Sequence, residues 1–180
     1  MSAEGRVRLM DAGKMAEIIS RMSEEIAEAF SGSVGSALLV GIHTRGVYLA
    51  RRISQRLAET RSWDIPVGKL DINLYRDDWT RLHSYPVVRS THIPVSIDNR
   101  DVILVDDVLY TGRTIRAALD GLLDFGRPRR VHLAVLIDRG HRELPICAQY
   151  IGQVVETLPG QHVHVLLEEV DGRDEVVLTD

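Results

Sequence analysis

The 180-residue sequence predicts an α/β fold, with helices on both faces of an open and mainly parallel sheet. Continuous apolar runs at 37–42, 102–105 and 131–137 are typical of strands that are buried on both faces. Helical periodicity separates these runs, at 47–57 and at 111–125. A chain of this length forms one sizeable core, so we expect a single domain rather than two.

Further elements are predicted on either side of this alternation. Residues 12–30 place apolar side chains at helical spacing, with glutamates turned outward, and predict an amphipathic helix. Alternating residues at 67–75, 162–170 and 175–178 predict three more strands. The segment 76–99 is polar, contains prolines and lacks periodicity, so we expect a long mobile loop with a function.

The composition excludes several classes of protein. A net charge of −4 argues against a surface given over wholly to nucleic acid, although it is compatible with a local basic patch. No apolar run approaches the roughly 20 residues of a membrane-spanning helix, and the N-terminus lacks an apolar signal segment. We therefore expect a cytoplasmic protein with no membrane partner. Cys147 is the only cysteine, so no internal disulfide forms, and we expect its thiol to pack rather than to react.

Two adjacent carboxylates, Asp106 and Asp107, follow the predicted strand at 102–105. In open sheets of this kind, ligands bind beyond the carboxyl ends of the strands. At that position the carboxylates reach the hydroxyls of a ribose or, through water, a magnesium ion. The alternative is that both aspartates cap the turn and the next helix, which is the more common role of an isolated aspartate pair. The phosphate-binding turn that follows them favours the functional interpretation.

The turn at 108–114 has the composition of an anion site. Its backbone N–H groups and the hydroxyls of Thr111 and Thr114 surround one concavity, at the positive end of a helix dipole. Gly112 lets the backbone approach a ligand closely. We call residues 106–114 the first anion loop. Its predicted phosphate-binding residues are Asp106, Asp107, Val108, Leu109, Tyr110, Thr111, Gly112, Arg113 and Thr114.

A second anion loop is predicted at residues 44–46, after the first strand of the sheet. Thr44, Arg45 and Gly46 form a tight turn at a helix start, where N–H groups and a guanidinium suit a pyrophosphate. Three residues are a weak signal by themselves. Opposite the first anion loop, they provide a second site for a ligand with phosphates at both ends. Residues 138–143 follow the last apolar run, and their composition fits a polar surface loop equally well.

The stretch at 102–114, VILVDDVLYTGRT, resembles the phosphoribosyl pyrophosphate (PRPP) motif of type I phosphoribosyltransferases. Further stretches resemble the PyrR family, whose members regulate pyrimidine operons and act as uracil phosphoribosyltransferases. They are GIHTRGVYLA (41–50), LDINLYRDD (70–78), GRPRRVHLAV (126–135) and LIDRGHRELPI (136–146). The resemblance extends over roughly residues 38–152.

The resemblance implies the type I phosphoribosyltransferase fold, an open and mainly parallel sheet flanked by helices, with a small hood at residues 136–152. It also implies the substrates: the enzyme would transfer the phosphoribosyl group of PRPP to uracil, with Mg²⁺ as cofactor, and release UMP and pyrophosphate. Uracil would be enclosed by the hood, between Ile137, Asp138, Arg139 and His141. Backbone groups and Arg139 could then contact the hydrogen-bonding edge of the base.

The resemblance further implies which residues act in catalysis. Arg45 and Arg76 would stabilise charge together with Mg²⁺, and the loop at 76–99 would close to exclude water. Asp77 and Asp78 either hold metal or a closing contact, or are solvated loop carboxylates. The expected catalytic residues are Arg45, Arg76, Asp106 and Asp107.

A second implied activity is binding of the messenger RNA leader of pyrimidine operons, with UMP or UTP as corepressor in the same pocket. Family members carry a basic N-terminal helix with a histidine, and a lysine–asparagine step followed by proline–threonine after the hood. Here Glu24 and Glu25 follow Arg21, and Gln153 stands at the start of that step. Phosphate contacts dominate RNA affinity, so each missing cation matters. The first candidates for RNA contact are Arg21 and Arg142, and Arg45, Arg129 and Arg130 are further ones.

Two alternatives to an active uracil phosphoribosyltransferase stay open at this point. One is an RNA-binding attenuation regulator that uses the pocket as a nucleotide sensor and turns over little. The other is a purine-specific phosphoribosyltransferase, which the hood sequence LIDRGHRELPI disfavours. The resemblance also suggests a homodimer or a larger homo-oligomer.

Overall fold

The computed structural model of the chain describes residues 5–73, 75 and 91–180, and it confirms the predicted α/β fold. Strands and helices alternate through most of the described chain. In chain order they are β1 (Arg6–Met10), α1 (Ala12–Ala29), β2 (Ala37–Ile42), α2 (Arg45–Arg61), β3 (Val67–Leu70), β4 (Asp101–Leu109), α3 (Arg113–Leu123), β5 (Arg130–Asp138), β6 (Tyr150–Val154), β7 (His162–Leu166), α4 (Glu168–Asp171) and β8 (Glu175–Thr179).

A five-stranded parallel sheet in the order β3–β2–β4–β5–β6 forms the centre of the fold. Successive side chains of a strand face opposite sides of the sheet. Leu39 and Ile103 pack with α1 and α2 on one face, while Leu38 and Val102 pack with α3 on the other. Helices therefore cover both faces of the sheet, as the continuous apolar runs predicted.

A second, antiparallel sheet has the strand order β1–β8–β7 and packs into the same core as α1 and α2. Neither β1 nor β6 was predicted from the sequence. The first alternates arginines with apolar residues over only five positions. The second contains Gly152, a residue type that is depleted in strands. The structure nevertheless requires this glycine, because a Cβ there would lie 2.3 Å from the carbonyl oxygen of Leu136.

The predicted boundary of β4 was wrong in a way that matters for the site. The strand was expected at 102–105, but its ladder with β5 continues as far as the pair Leu109–Asp138. Asp106 and Asp107 therefore lie within the strand and not in the turn after it. Backbone pairing with β5 holds both carboxylates on a rigid element.

Several other boundaries also differ from the predicted ones. The helix α3 begins at Arg113, two residues later than expected, because Gly112 with a φ of +93° interrupts helical backbone. The strand predicted at 67–75 ends at Leu70. The strand predicted at 162–170 stops after β7, and α4 follows it.

The remaining expectations for the chain have different outcomes. Cys147 is exposed, so the prediction that its thiol packs inside the protein was wrong. Within the ranges given above, no helix is long and apolar enough to cross a membrane. The loop predicted at 76–99 lies mostly outside the described residues, and Arg76, Asp77 and Asp78 lie outside them with it.

Candidate active site

The carboxyl ends of β2, β4 and β5 bring the two anion loops and the start of the hood to one edge of the sheet. The second anion loop packs directly on the strand that carries the first. A Cβ at Gly46 would lie 2.2 Å from the carbonyl oxygen of Val105 and 3.2 Å from the Cα of Asp106. Only a glycine fits at this contact, so the sequence of the second anion loop sets its distance from the aspartates.

Asp106 and Asp107 differ in burial and in their backbone partners, and their carboxyl groups also interact with each other. Asp106 is buried, and its Oδ1 accepts a hydrogen bond from the N–H of Asp107 at 3.0 Å. Asp107 is partly buried, and its Oδ1 accepts the N–H of Val108 at 2.8 Å. Burial raises the pKa of Asp107, while the N–H of Val108 and the charge of Arg45 oppose that shift.

The turn of the first anion loop is joined to the hood by hydrogen bonds and an ion pair. Gly112 directs the chain into α3, whose first residue is Arg113. The carbonyl oxygen of Thr111 accepts the N–H groups of Glu143 at 3.0 Å and of Leu144 at 3.2 Å. The guanidinium of Arg113 pairs with the carboxylate of Glu143 at 2.7 Å. The conformations of this turn and of the hood therefore depend on each other.

Arg142 connects the same two segments through its guanidinium. Nη1 donates to the carbonyl oxygens of Tyr110 at 2.8 Å and Gly140 at 3.0 Å, and Nε donates to that of Ile146 at 3.2 Å. Nη2 pairs with the carboxylate of Asp138. The sequence suggested Arg142 as an RNA contact, but in the structure its donors are engaged in holding the hood to the first anion loop.

Arg139 is buried and makes a second connection between the hood and the first anion loop. Its Nη2 donates to the carbonyl oxygen of Gln161 at 2.6 Å, and its Nε donates to the hydroxyl of Thr157 at 3.3 Å. The guanidinium carbon lies 4.1 Å from the ring centre of Tyr110. The Nε2 of His141 lies 2.7 Å from the carbonyl oxygen of Thr157.

A cavity of about 310 Å³ lies beside Arg139 and His141. This volume is at the lower end of the range for small-molecule sites. Ile137 is fully buried in the core and lies in the ladders with β4 and β6, and it does not line the cavity. The carboxylate of Asp138 accepts the N–H of Gly140 at 3.0 Å besides its pair with arginine. The cavity is lined by Arg139, Gly140, His141, Val154, Val155, Glu156 and Thr157.

The second anion loop has an acidic partner that sequence reasoning missed. Arg45 is the first residue of α2, and its Nε and Nη2 donate to the two carboxylate oxygens of Asp171, at 3.2 Å and 2.8 Å. The hydrogen bonds from Arg45 lower the pKa of Asp171. The two residues are 126 positions apart, and acidic neighbours surround Asp171 in the sequence, so no local signal pointed to it.

Arg21 lies away from this edge, on the outer side of α1. Its Nη1 donates to the carboxylate of Glu25 at 2.5 Å, and its Nη2 donates to the carbonyl oxygens of Ile151, at 3.2 Å, and Gly152. The side chain is 48% exposed. Arg21 therefore joins α1 to β6 and still presents part of its guanidinium to solvent.

Solved structures with a similar architecture include hypoxanthine phosphoribosyltransferases. The protein from Staphylococcus aureus aligns with a TM-score of 0.71 and 18% identity, over 99% of this chain and 97% of that one. The protein from Trypanosoma cruzi aligns with a TM-score of 0.74 and 17% identity, over 100% of this chain and 94% of that one. At such identities the likeness shows the fold alone.

The sequence comparisons define the class and then the family. Residues 7–168 match the family described as the phosphoribosyl transferase domain, so the chain is a member of the phosphoribosyltransferase class. The bifunctional protein PyrR of Syntrophobacter fumaroxidans is 55% identical, over 99% of this chain and 95% of that protein. The bifunctional protein PyrR of Thermus thermophilus is 54% identical, over 96% of this chain and 95% of that protein. The chain belongs to the PyrR family, which confirms the resemblance found in the sequence.

Proposed function

We propose that the protein transfers the phosphoribosyl group of PRPP to uracil and releases UMP and pyrophosphate. The observation that carries this proposal is the meeting of the two anion loops at one edge of the sheet, with Asp106 and Asp107 on one side and Arg45 on the other. PRPP carries phosphate groups at both ends of its ribose, so it suits two such loops that face one another.

The acidic pair fits a Mg²⁺ ion that arrives with the substrate. Over residues 5–73, 75 and 91–180, no group of three or more His, Cys, Asp or Glu side chains is arranged to hold a metal ion. Mg²⁺ commonly keeps several waters and binds through one or two carboxylates together with substrate phosphates. Asp106 and Asp107 would hold it in that manner, through water or through the ribose. When bound, the ion neutralises charge on the departing pyrophosphate.

The remaining work of catalysis is positioning and charge stabilisation by the protein. Backbone N–H groups at the start of α3 and the hydroxyls of Thr111 and Thr114 bind the 5′-phosphate. Asp107 holds the ribose hydroxyls, so that the reacting carbon faces the base. Arg45 binds the pyrophosphate as negative charge develops on it. Arg76 would add a second cation there.

Uracil binds in the cavity beside Arg139 and His141. The base presents carbonyl acceptors and N–H donors, so its proposed partners are Arg139 and the backbone of the other residues that line the cavity. Nε and Nη2 of Arg139 already donate to Thr157 and Gln161. Nη1 is therefore the proposed donor to a carbonyl oxygen of uracil. The contacts between the hood and the first anion loop support a position of the base next to the bound ribose.

The test is release of pyrophosphate from PRPP with Mg²⁺ and uracil. We expect Asp107→Asn to lose about a hundredfold or more of the activity, because the variant cannot hold the ribose or its metal ion. The matched control is Asp120→Asn on the exposed side of α3, which changes an aspartate that pairs with Arg116 at 3.2 Å. Full activity in Asp107→Asn contradicts the proposed site. A preference for hypoxanthine, guanine or adenine over uracil contradicts the proposed substrate.

A second proposed activity is binding of the RNA leader of pyrimidine operons, with UMP or UTP as effector. The relatives are named as bifunctional, which supports two activities on one chain. Arg21 is the better candidate for RNA contact, because half of its side chain is exposed, whereas Arg142 is engaged within the site. We place both activities in the cytoplasm and in a homodimer or larger homo-oligomer, as the family resemblance implies.

Two variants distinguish the proposed RNA binding from the proposed catalysis. Arg21→Gln should weaken binding of the leader RNA by about tenfold, since one cation near a phosphate is lost. Glu25→Gln is the matched control, because it removes the partner of Arg21 and leaves the cation. Asp107→Asn should keep RNA binding while catalysis is lost. If Arg21→Gln binds the leader RNA as tightly as the wild type, Arg21 is not part of the RNA-binding surface. If the wild type binds RNA but shows no turnover, the protein is chiefly a regulator.

A further inference from the structure

The contact between Arg45 and Asp171 has the geometry of an oriented pair. Nε and Nη2 form one edge of the guanidinium, and they donate to the two oxygens of one carboxylate at 3.2 Å and 2.8 Å. Two parallel hydrogen bonds of this kind set the plane of the guanidinium as well as its position. Both side chains are largely shielded from water, with 30% of Arg45 and 19% of Asp171 exposed. The pair does not use the opposite edge of the guanidinium, at Nη1.

Asp171 is held in place by contacts that do not involve Arg45. Its Oδ2 accepts the N–H of Leu167 at 2.9 Å, and its own N–H donates to the carbonyl oxygen of Leu167 at 2.6 Å. Leu167 is fully buried in the core. The carboxylate is therefore a fixed partner, and the longer side chain of Arg45 is the one whose position is determined.

A separate contact docks the same segment on α2. Arg52 lies two helical turns beyond Arg45 and so projects from the same side of the helix. Its guanidinium pairs with Glu169 at 2.6 Å and with Asp174 at 2.7 Å. Asp174 also accepts the N–H of Glu168 at 2.8 Å. The segment 168–174 therefore stays on α2 through contacts that do not involve Arg45.

We infer that Asp171 is a positioning residue for pyrophosphate binding: it holds Arg45 by one edge and leaves the other edge to the phosphate oxygens. This inference rests on the proposed function, in which Arg45 binds the pyrophosphate group. An arginine with many rotamers loses entropy when it engages a ligand, and a bidentate partner that orients it beforehand reduces that loss. Arg45 also lies close enough to Asp107 for its charge to oppose the raised pKa of that carboxylate.

The test is direct binding of PRPP and of pyrophosphate, each with Mg²⁺, by isothermal titration calorimetry on the full chain. We expect Asp171→Ala to weaken both ligands by about tenfold and Asp171→Asn to lie between it and the wild type, because the amide keeps one acceptor for the guanidinium. The KM for uracil should stay within about twofold, because the base binds elsewhere. Asp174→Asn is the matched control: it removes a carboxylate from the same segment, but that carboxylate pairs with Arg52 and not with Arg45.

Each outcome decides the inference. Weaker binding of both ligands in Asp171→Ala, with the control close to the wild type and a melting temperature lowered by only a few degrees, supports it. Unchanged binding overturns it, and tighter binding overturns it in favour of a carboxylate that competes with pyrophosphate. An equal loss in Asp174→Asn shows that docking of the segment matters rather than orientation of Arg45. Wild-type protein that binds neither ligand overturns the proposed function itself, whatever the variants do.

Discussion

The strand β4 carries aspartates at both of its ends, and the protein uses them in opposite ways. Asp101, its first residue, is buried, and Nε of Arg129 donates to it at 3.0 Å. The hydrogen bonds from Arg129 lower the pKa of Asp101. At the other end, Asp107 takes its hydrogen bond from the backbone N–H of Val108, and burial raises its pKa.

The difference separates a stabilising carboxylate from one that is kept for a ligand. At the amino end, a guanidinium compensates the charge within the fold, so the ionised form of Asp101 stabilises the protein. At the carboxyl end, burial raises the pKa of Asp107 against the opposing effects of a backbone N–H, the charge of Arg45 and a hydrogen bond with Asp106. An ionised Asp107 costs stability that a ribose or a metal ion would recover on binding, as is common at functional sites.

The largest effect should follow a change at the carboxyl end that keeps every charge. Gly46→Ala places a Cβ 2.2 Å from the carbonyl oxygen of Val105, so the second anion loop must move away from β4. We expect a loss of about 3 kcal/mol in the free energy of unfolding and about a hundredfold in pyrophosphate release. Chemical denaturation measures the first quantity, and an assay well below the unfolding transition measures the second.

Gly112→Ala is the matched control for that variant. Its Cβ would have ordinary contacts, at 3.4 Å from Ile146 and Leu144, and only the φ of +93° opposes it. The expected cost is therefore smaller, about 1–2 kcal/mol. If Gly46→Ala is as stable as Gly112→Ala and keeps the activity of the wild type, the two anion loops do not depend on close packing, and the geometry proposed for the site is wrong.

The next effect in size concerns the amino end of the strand. Asp101→Asn should lower the free energy of unfolding by about 2 kcal/mol at neutral pH, because the buried partner of Arg129 loses its charge and presents an amide. Since the pKa of Asp101 is lowered below its ordinary value of 3.8, the stabilisation is complete above that value and is lost as the pH falls through the lowered pKa. Denaturation curves of the variant and the wild type should therefore converge in acid. A difference that persists at every pH would mean that packing, and not charge, sets the role of Asp101.

The sequence predicted the parts of this site that have local signatures. The buried strand, the adjacent aspartates and the glycine turn at 102–114 each follow from neighbouring residues, and together they indicated a phosphate site. The role of Asp171 had no such signature, because its partner Arg45 lies 126 residues away. Arg142 was predicted as a candidate RNA contact, since a sequence shows the charge of a side chain but not the carbonyl oxygens that surround it in the fold.

The smallest expected change in the free energy of unfolding has the opposite sign. It is the sharpest test of the difference between Asp101 and Asp107. Asp107→Asn keeps an acceptor for the N–H of Val108 and removes a charge whose pKa is raised by burial. For a raised pKa, the cost of ionisation is absent below the ordinary value of 3.8 and grows as the pH rises through the folded pKa. The ligand-free variant should therefore be slightly more stable than the wild type at pH 7, and the difference should disappear as the pH falls below 3.8. Thermal unfolding at both pH values measures the difference in stability between the variant and the wild type. Asp101→Asn is the reference, because it should destabilise the same strand. A loss of stability in both variants would show that the aspartates near the two ends of β4 do not differ as the structure indicates.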